Sequence, residues 1–270
     1  MTGGRLIVCP TPIGNLEDVT LRVLAALRDA DVVACEDTRR TRVLLDRYGV
    51  KATLVSYHEH NETARAAELV KRMQAGAVVA LVSDAGMPLV SDPGFVLVQS
   101  SVAAGLAVEV LPGPSAALAA LVASALPADR WRFTGFLPRK RADLVAAFDT
   151  PDTLVAFESP RRVAASLAVL AEIDPQRPVA VARELTKLHE EVVRGSAAEL
   201  AERYGAEAPR GEVVLVVGAA PPRSAADITP AVDALRRLVE AGAKPRPAAA
   251  VVSELTGVPA NALYRELTST

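Results

Sequence analysis

With 270 residues, half of them apolar and only 4% aromatic, the chain has enough Ala, Val and Leu to build cores for about two domains of roughly 150 residues each. A formal net charge of −2 excludes nucleic-acid binding through bulk charge, so such a partner must meet a local basic patch. No apolar run reaches the ~18 residues of a membrane span, no signal-peptide segment opens the chain, and Cys9 and Cys35 lie in apolar runs as buried thiols, so no membrane association and a cytoplasmic location are expected.

Strands are predicted over 6–9, 31–35, 54–57, 78–82 and 108–111, each followed by a helix. Asp18 or Thr20 is placed to cap the first helix, and Thr38 the second, with Val43, Leu44 and Leu45 facing inward. The next helices run over about 63–76, 94–105 and 115–124, the last capped by Ser115. The run 78–82, VVALV, shows no polar alternation and reads as a strand covered on both faces, as in a parallel sheet. Five strand–helix repeats predict a mainly parallel sheet with right-handed crossovers.

Residues 125–129 read as a hinge. The second half opens at 131–136, with strands over 153–157 and 178–182, a short antiparallel strand at 191–195 and a buried strand at 213–217. A helix carries Val163, Leu167 and Leu170, and the lower regularity predicts a mixed sheet. Pro221-Pro222-Arg223-Ser224 marks a second boundary. Beyond it, helices around 232–239, 248–255 and 261–267 follow a helix-turn-helix plan. Arg236, Arg237, Lys244, Arg246 and Arg265 bring positive charge there, but acids are nearly as frequent, so nucleic-acid contact and a packing cap both stay open. The expected organisation is an α/β domain over 1–124, a second α/β domain over 125–220 and a helical appendage over 225–270.

The chain has no GxxxxGK[ST], no GxGxxG after the first strand, no CxxC and no HExxH, and His58 and His60 lack a third histidine nearby, so no metal site is expected. Instead, segments rich in Gly, Pro or charge begin where apolar strands end: PTPIGN, EDTRR, HEHNE, SDAGMPLVSDPG, PGPSA, ESPRR and ARELTK. Ligands of open α/β sheets lie outside the carboxyl ends of strands, so two such edges facing each other predict a cleft for a mid-sized polar ligand. Gly14, Gly86 and Gly113 allow backbone to approach it, and Gly94 and Ser115 begin helices with free N–H groups. Asp84 and Asp92 can accept from hydroxyl or amino groups. Arg39, Arg40, Arg139, Lys140, Arg161, Arg162 and Lys187 flank the same edge and can meet phosphates.

TPIGNLEDVTLR, ACEDTRR, HEHNE, LVSDAGMPLVSDPGF, LPGPSA, GFLPRK, FESPRR, ARELTK and GEVVLVVG, in this order over about residues 5–218, resemble the ribosomal small-subunit methyltransferase I family, whose fold is similar to the tetrapyrrole methylases. The tail resembles that family's helix-turn-helix appendage. The resemblance implies methylation of a cytidine ribose 2′-hydroxyl in 16S ribosomal RNA of the small subunit by S-adenosylmethionine, a homodimer, and a cofactor in the cleft between two α/β domains. It implies cofactor contacts at Pro12, Ile13, Asp84, Gly86, Leu89, Val90, Ser115 and Ala116, and from the second half at Phe157, Glu158, Ala182, Arg183, Glu212 and Val213. Met87 stands where Thr is expected and Arg161 where His is expected. A ribose hydroxyl needs a base, for which Glu36, Asp37 and Glu184 are candidates, with Lys187 as electrostatic partner. The alternative, a small-molecule tetrapyrrole methylase, calls for a broad apolar substrate wall. A non-enzymatic RNA-binding module has no use for a glycine-lined cleft.

Overall fold

The computed structural model describes residues 3–221 and 228–268. They form two compact units, Met1–Ala219 and Ala220–Thr270. Residues 222–224 of the boundary expected from the sequence, and the expected start of the appendage at 225, lie outside the described residues.

The first sheet holds β1 (Arg5–Cys9), β2 (Val32–Cys35), β3 (Leu54–Ser56), β4 (Val78–Val82) and β5 (Ala107–Val110). Its order is β3-β2-β4-β1-β5 and every pairing is parallel. Successive residues of each strand face opposite sides, and both sides are covered. Ile7, Cys9, Val33, Cys35, Ala80 and Val82 pack under α1 (Leu21–Asp29) and α2 (Thr38–Arg47). Leu6, Val8, Val32, Ala34, Val79 and Leu81 pack under α3 (Glu62–Gln74) and α4 (Phe95–Ala103). This is why VVALV carries no polar alternation. Thr20, not Asp18, caps α1, accepting from Val23 N–H at 3.1 Å. The cap of α2 is Asp37 rather than Thr38, which is already helical: the longer carboxylate reaches both the Arg39 N–H, at 2.8 Å, and the Arg39 guanidinium. Val43, expected inward, is 59% exposed, because Leu44 and Leu45 already fill the core-facing stripe of this short helix.

The second sheet holds β6 (Trp131–Phe136), β7 (Thr153–Glu158), β8 (Pro178–Arg183), β9 (Glu191–Ser196) and β10 (Val213–Val217), in the order β6-β7-β10-β8-β9. Only β6 and β7 pair in parallel, so the sheet is mixed. One face is covered by α6 (Arg141–Phe148), α7 (Val163–Ile173) and α8 (Ala197–Ala206). The other is covered by a helix of the first half, α5 (Ala116–Ser124), whose Ala117, Ala120 and Leu121 meet Val155, Ala180, Ala182, Val214 and Val216. Small side chains let the helix lie close to the sheet. Arg194 of β9 closes its C-terminal end, donating from Nε to the carbonyls of Ala123, at 3.0 Å, and Ser124, at 3.2 Å.

In the other unit, α9 (Thr229–Glu240), α10 (Pro245–Thr256) and α11 (Ala260–Thr268) close a small core of Ala231, Val232, Leu235, Ala248, Ala249, Val252 and Leu263. Gly257, at φ +74°, makes the tight turn after α10. Among the described residues no helix is long and apolar enough to cross a membrane.

Candidate active site

The chain after β1 and the chain after β4 are tied together where these adjacent parallel strands end. Thr11 and Gly86 exchange backbone hydrogen bonds at 2.8 and 2.9 Å, and Thr11 Oγ1 donates to the Ser83 carbonyl at 3.0 Å. The loop 83–94 then turns through positive φ at Gly86, Leu89, Ser91 and Gly94. Left-handed backbone at Leu89 and Ser91 costs about 1–3 kcal/mol each and persists only where surrounding structure enforces it. At Gly94 a Cβ would come within 2.8 Å of Leu89 and 2.9 Å of Leu81, so only glycine closes the loop onto α4. The loop after β8 is strained in the same way, with φ +49° at Glu184 and +66° at Thr186. Thr186 Oγ1 accepts the Asn15 N–H at 3.1 Å, which joins the strand-end loops of the two sheets.

Between these loops lies a cavity of about 420 Å³, within the ~300–1,000 Å³ range of small-molecule sites. Of the residues expected at the cofactor, Ile13, Gly86, Val90, Ser115, Ala116, Phe157, Glu158, Ala182, Glu212 and Val213 line it. Five others do not. Pro12 is buried behind the wall, and Gly14 lies against the Lys187 side chain. Leu89 turns into the core beneath α3 and α4. Asp84 accepts the Asp37 N–H at 3.0 Å and sits 3.6 Å from Arg40, bracing the turn after β2. Arg183 Nε donates to Glu191 at 2.7 Å and borders a separate depression with Arg203 and Tyr204. Gly113 lies against Pro10. The Glu158 carboxylate accepts from Ser159 N–H at 2.7 Å and Ser166 Oγ at 2.6 Å, with Arg162 3.4 Å away, so its fully covered side chain secures the turn into α7.

Sequence reasoning passed over Phe136, Ser159, Pro160, Leu185 and Gly211, and also Ala85, Ser91 and Val214, all of which line the cavity; Asp92, expected there as an acceptor, and Met87, noted in place of Thr, line it too. Each of the first five lies beside a strand end already marked by GFLPRK, ESPRR, ARELTK or GEVVLVVG, so strand-end position was the signal that locates them.

The acids divide by environment. The Arg39 guanidinium and N–H hold Asp37 down to about 2. Glu184 is also lowered, by its hydrogen bonds from Lys187 Nζ at 2.8 Å and Glu212 N–H at 2.9 Å. Burial works against charge on Lys187, but its bonds to Glu184 and Glu212 outweigh it and the ammonium is stabilised. As a base, Glu184 is therefore disarmed, and Asp37 is occupied as a cap. Glu36 moves the other way: burial and the nearby Asp84 raise it. Asp92 is pushed up to about 6 by burial, then by the charge of Glu36.

Among the cations, Arg39 pairs with Asp37 and Arg40 with Asp84, and Arg162 donates to the Leu137 and Pro138 carbonyls. Arg139, Lys140 and Arg161 are exposed and follow directly on cavity-lining segments. His58 contacts Asn61 and the His60 ring, and no cluster of three or more metal-ligating side chains occurs among the described residues.

Residues 5–201 match the family model described as Tetrapyrrole (Corrin/Porphyrin) Methylases. A protein of Mesorhizobium japonicum named ribosomal RNA small subunit methyltransferase I is 46% identical over 97% of this chain and 90% of its own length. One of the same name from Escherichia coli O157:H7 is 43% identical over 97% and 94%. Among solved structures, uroporphyrin-III-C-methyltransferase from Thermus thermophilus superimposes with a TM-score of 0.57 at 26% identity, covering 80% of this chain and 94% of that one. A Thermus thermophilus uroporphyrin-III C-methyltransferase solved with S-adenyl homocysteine gives 0.57 at 22% identity, over 80% and 97%. Matched along nearly its whole length, and with both sheets in the same arrangement, the chain belongs to the ribosomal RNA small subunit methyltransferase I family, within the tetrapyrrole methylases.

Proposed function

We propose that this chain methylates the ribose 2′-hydroxyl of a cytidine in 16S ribosomal RNA, in the small ribosomal subunit, with S-adenosylmethionine as donor. The observation that carries the reading is a cavity assembled from the strand ends of both sheets and followed, on two of its segments, by Arg139, Lys140 and Arg161, which form no ion pairs among the described residues. The names of the curated relatives support an RNA substrate over a porphyrinoid.

The residues present fit the donor. Its adenosyl portion suits the apolar wall of Ile13, Val90, Phe157, Leu185 and Val213. Polar groups of the donor suit backbone at Gly86, where a Cβ would stand 3.3 Å from Ile13, and the N-terminus of α5 at Ser115 and Ala116. Bound there, S-adenosylmethionine supplies an electrophilic methyl group on a sulfonium. The protein contributes alignment, which lowers such a barrier by about 7–11 kcal/mol, and a carboxylate to take the hydroxyl proton. Lys187 and Glu184 tie the segment after β8 to Glu212 before β10, and Thr186 joins that segment to Asn15 of the first half. The cations follow the RNA backbone. Leu118 and Val122 of α5, 50% and 80% exposed, support a homodimer, and the division at 124/125 and near 220 into three domains belongs to the same proposal.

The test is transfer of labelled methyl from S-adenosylmethionine to purified small subunits, compared with a uroporphyrin-type tetrapyrrole, followed by nucleoside digestion. Label recovered as 2′-O-methylcytidine supports the reading. Label on the tetrapyrrole, or on a base rather than a ribose, rejects it.

A further inference from the structure

We propose that the depression beyond Gly211 holds a backbone phosphate of the RNA chain beside the nucleotide being methylated, an inference that rests on the reading of the cleft as an RNA-methylating site. The depression measures about 830 Å³, and Arg183, His189, Glu191, Arg203, Tyr204 and Arg210 stand in its wall. Gly211 lines both this depression and the cavity between the sheets, so a single stretch of backbone divides the two. Ala182 and Arg183, adjacent on β8, face opposite sides of the sheet: the first turns to the cavity, the second to the depression. An RNA strand with its ribose in the cavity reaches the depression across the ends of β8 and β10. Strand order places further cations along the same edge. Arg139 and Lys140 follow β6, Arg161 follows β7, and Arg210 precedes β10, which runs antiparallel to β7 and β8. Strands about 4.8 Å apart put the ends of β7 and β8 roughly 10 Å from each other, with β10 between them. One nucleic-acid backbone can follow such a row, which favours RNA over a free anion.

The chemistry of the wall fits a phosphodiester. Glu191 orients two of the arginines, its Oε2 accepting from Arg183 Nε at 2.7 Å and its Oε1 from Arg203 Nη2 at 3.0 Å. A guanidinium carries five N–H donors, so both keep most of theirs for a ligand. The planar forks match the two free oxygens of a phosphodiester. Arg210 forms no ion pair among the described residues. Of the other acids in the wall, Glu184 is held by Lys187 Nζ at 2.8 Å, and Glu207 is exposed to solvent. Tyr204 supplies an independent observation. The residue is 4% exposed, and its hydroxyl is covered without a hydrogen-bond partner among the described residues. A covered hydroxyl with no acceptor is costly, and it points to an acceptor that the free chain lacks. Arg203 lies over the Tyr204 ring, 5.8 Å from its centre, and is itself half exposed on a flexible stem. Drawn to a phosphate, the guanidinium uncovers the hydroxyl, which then donates to a phosphate oxygen.

The experiment compares wild type, Arg203→Gln, Arg203→Lys, Tyr204→Phe and the double variant Arg203→Gln/Arg210→Gln. The readouts are binding to purified small subunits across salt concentration, single-turnover methylation against subunit concentration, thermal melting, and calorimetry with inorganic phosphate. Arg203→Gln should raise the half-saturating subunit concentration roughly tenfold, the loss falling there rather than on the saturated rate. In the double variant the slope of log affinity against log salt should become shallower by about 0.7–0.9, the share of one phosphate. Arg203→Lys keeps the charge and restores the salt slope, but only part of the affinity, because it loses the fork. Tyr204→Phe should weaken subunit binding while the free protein melts no lower than wild type, since the covered hydroxyl has no partner to lose. Subunit affinity and salt slope unchanged in every variant overturn the assignment. So does a Tyr204→Phe protein that melts lower and binds subunits as wild type does, which makes the hydroxyl structural. Inorganic phosphate that saturates the wild type, loses its affinity in the double variant and leaves subunit binding untouched also overturns it, making the depression a free-anion site. A wild type that places no methyl on small subunits overturns the reading of the cleft itself, whereas normal methylation with unaltered variants overturns the depression alone.

Discussion

Gly211 is where one added methyl group tests how the two strand ends of the second sheet are held. The residue has φ +82°, and a Cβ built on it stands 2.6 Å from Glu184 Cγ and closer still to the carboxyl group. Glu184 has no easy retreat, because Oε1 accepts from Lys187 Nζ at 2.8 Å and from Glu212 N–H at 2.9 Å. Gly211→Ala therefore meets two costs, about 1–2 kcal/mol for a left-handed alanine and about 1–3 kcal/mol for the forced overlap. Their sum, about 2–5 kcal/mol, corresponds to a fall in Tm of roughly 5–15 °C for a unit of this size. Adding Glu184→Ala removes the overlap and leaves the backbone cost, so a double-mutant cycle read by denaturant unfolding should show a favourable coupling of about 1–3 kcal/mol. Since Gly211 lines the cavity, donor affinity should weaken in the single variant. A Gly211→Ala protein that melts with the wild type, or an equal loss with and without Glu184, refutes the claim that this carboxylate is pinned between the two strands.

Other perturbations separate structure from function. Glu158→Ala strips the partner from Ser159 N–H, Ser166 Oγ and Arg162 in a covered site, so unfolding should become easier by about 3 kcal/mol in a denaturant titration. Asp92 should affect stability with a definite sign. Its folded pKa, about 6, lies above the unfolded value, so the native state binds the extra proton and gains stability as pH falls from about 6 towards 4. Asp92→Asn should accordingly melt higher than wild type at pH 8, with the difference vanishing near pH 4. Replacing Arg139, Lys140 and Arg161 by Ala should weaken binding to small subunits at low salt. For every phosphate left without its cation, the slope of log affinity against log salt should become shallower by about 0.7–0.9, with donor affinity unchanged in calorimetry.

The parallel sheet was legible because a doubly covered strand such as VVALV cannot be mistaken for an alternating one, and β-strand ends announced themselves through Gly, Pro and charge. α8 was missed although its capping box, Ser196 with Glu199, is written in the sequence as S-x-x-E. α6 offered no such sign, since Lys140 precedes it without a capping side chain. The uniform apolarity of AALAALVAS identified a helix but not its partner: α5 covers a sheet made by the other half of the chain. Placing an acid at a strand end is likewise not the same as aiming it. Glu158 and Glu184 stand where a site residue was expected, yet both carboxylates turn to backbone N–H groups, an outcome decided by hydrogen-bond geometry across segments distant in sequence. Asp92, well beyond Asp84 at its strand's end, reaches the cavity only because the intervening backbone is bent left-handed.

The central claim is that loops from both sheets close on one S-adenosylmethionine. Backbone hydrogen exchange with and without the donor tests it most directly, read by mass spectrometry over the whole chain. Protection should rise together in 84–92, 115–120, 182–187 and 211–214, at one donor per chain. Protection limited to one sheet, or appearing on surfaces away from these four segments, would contradict it.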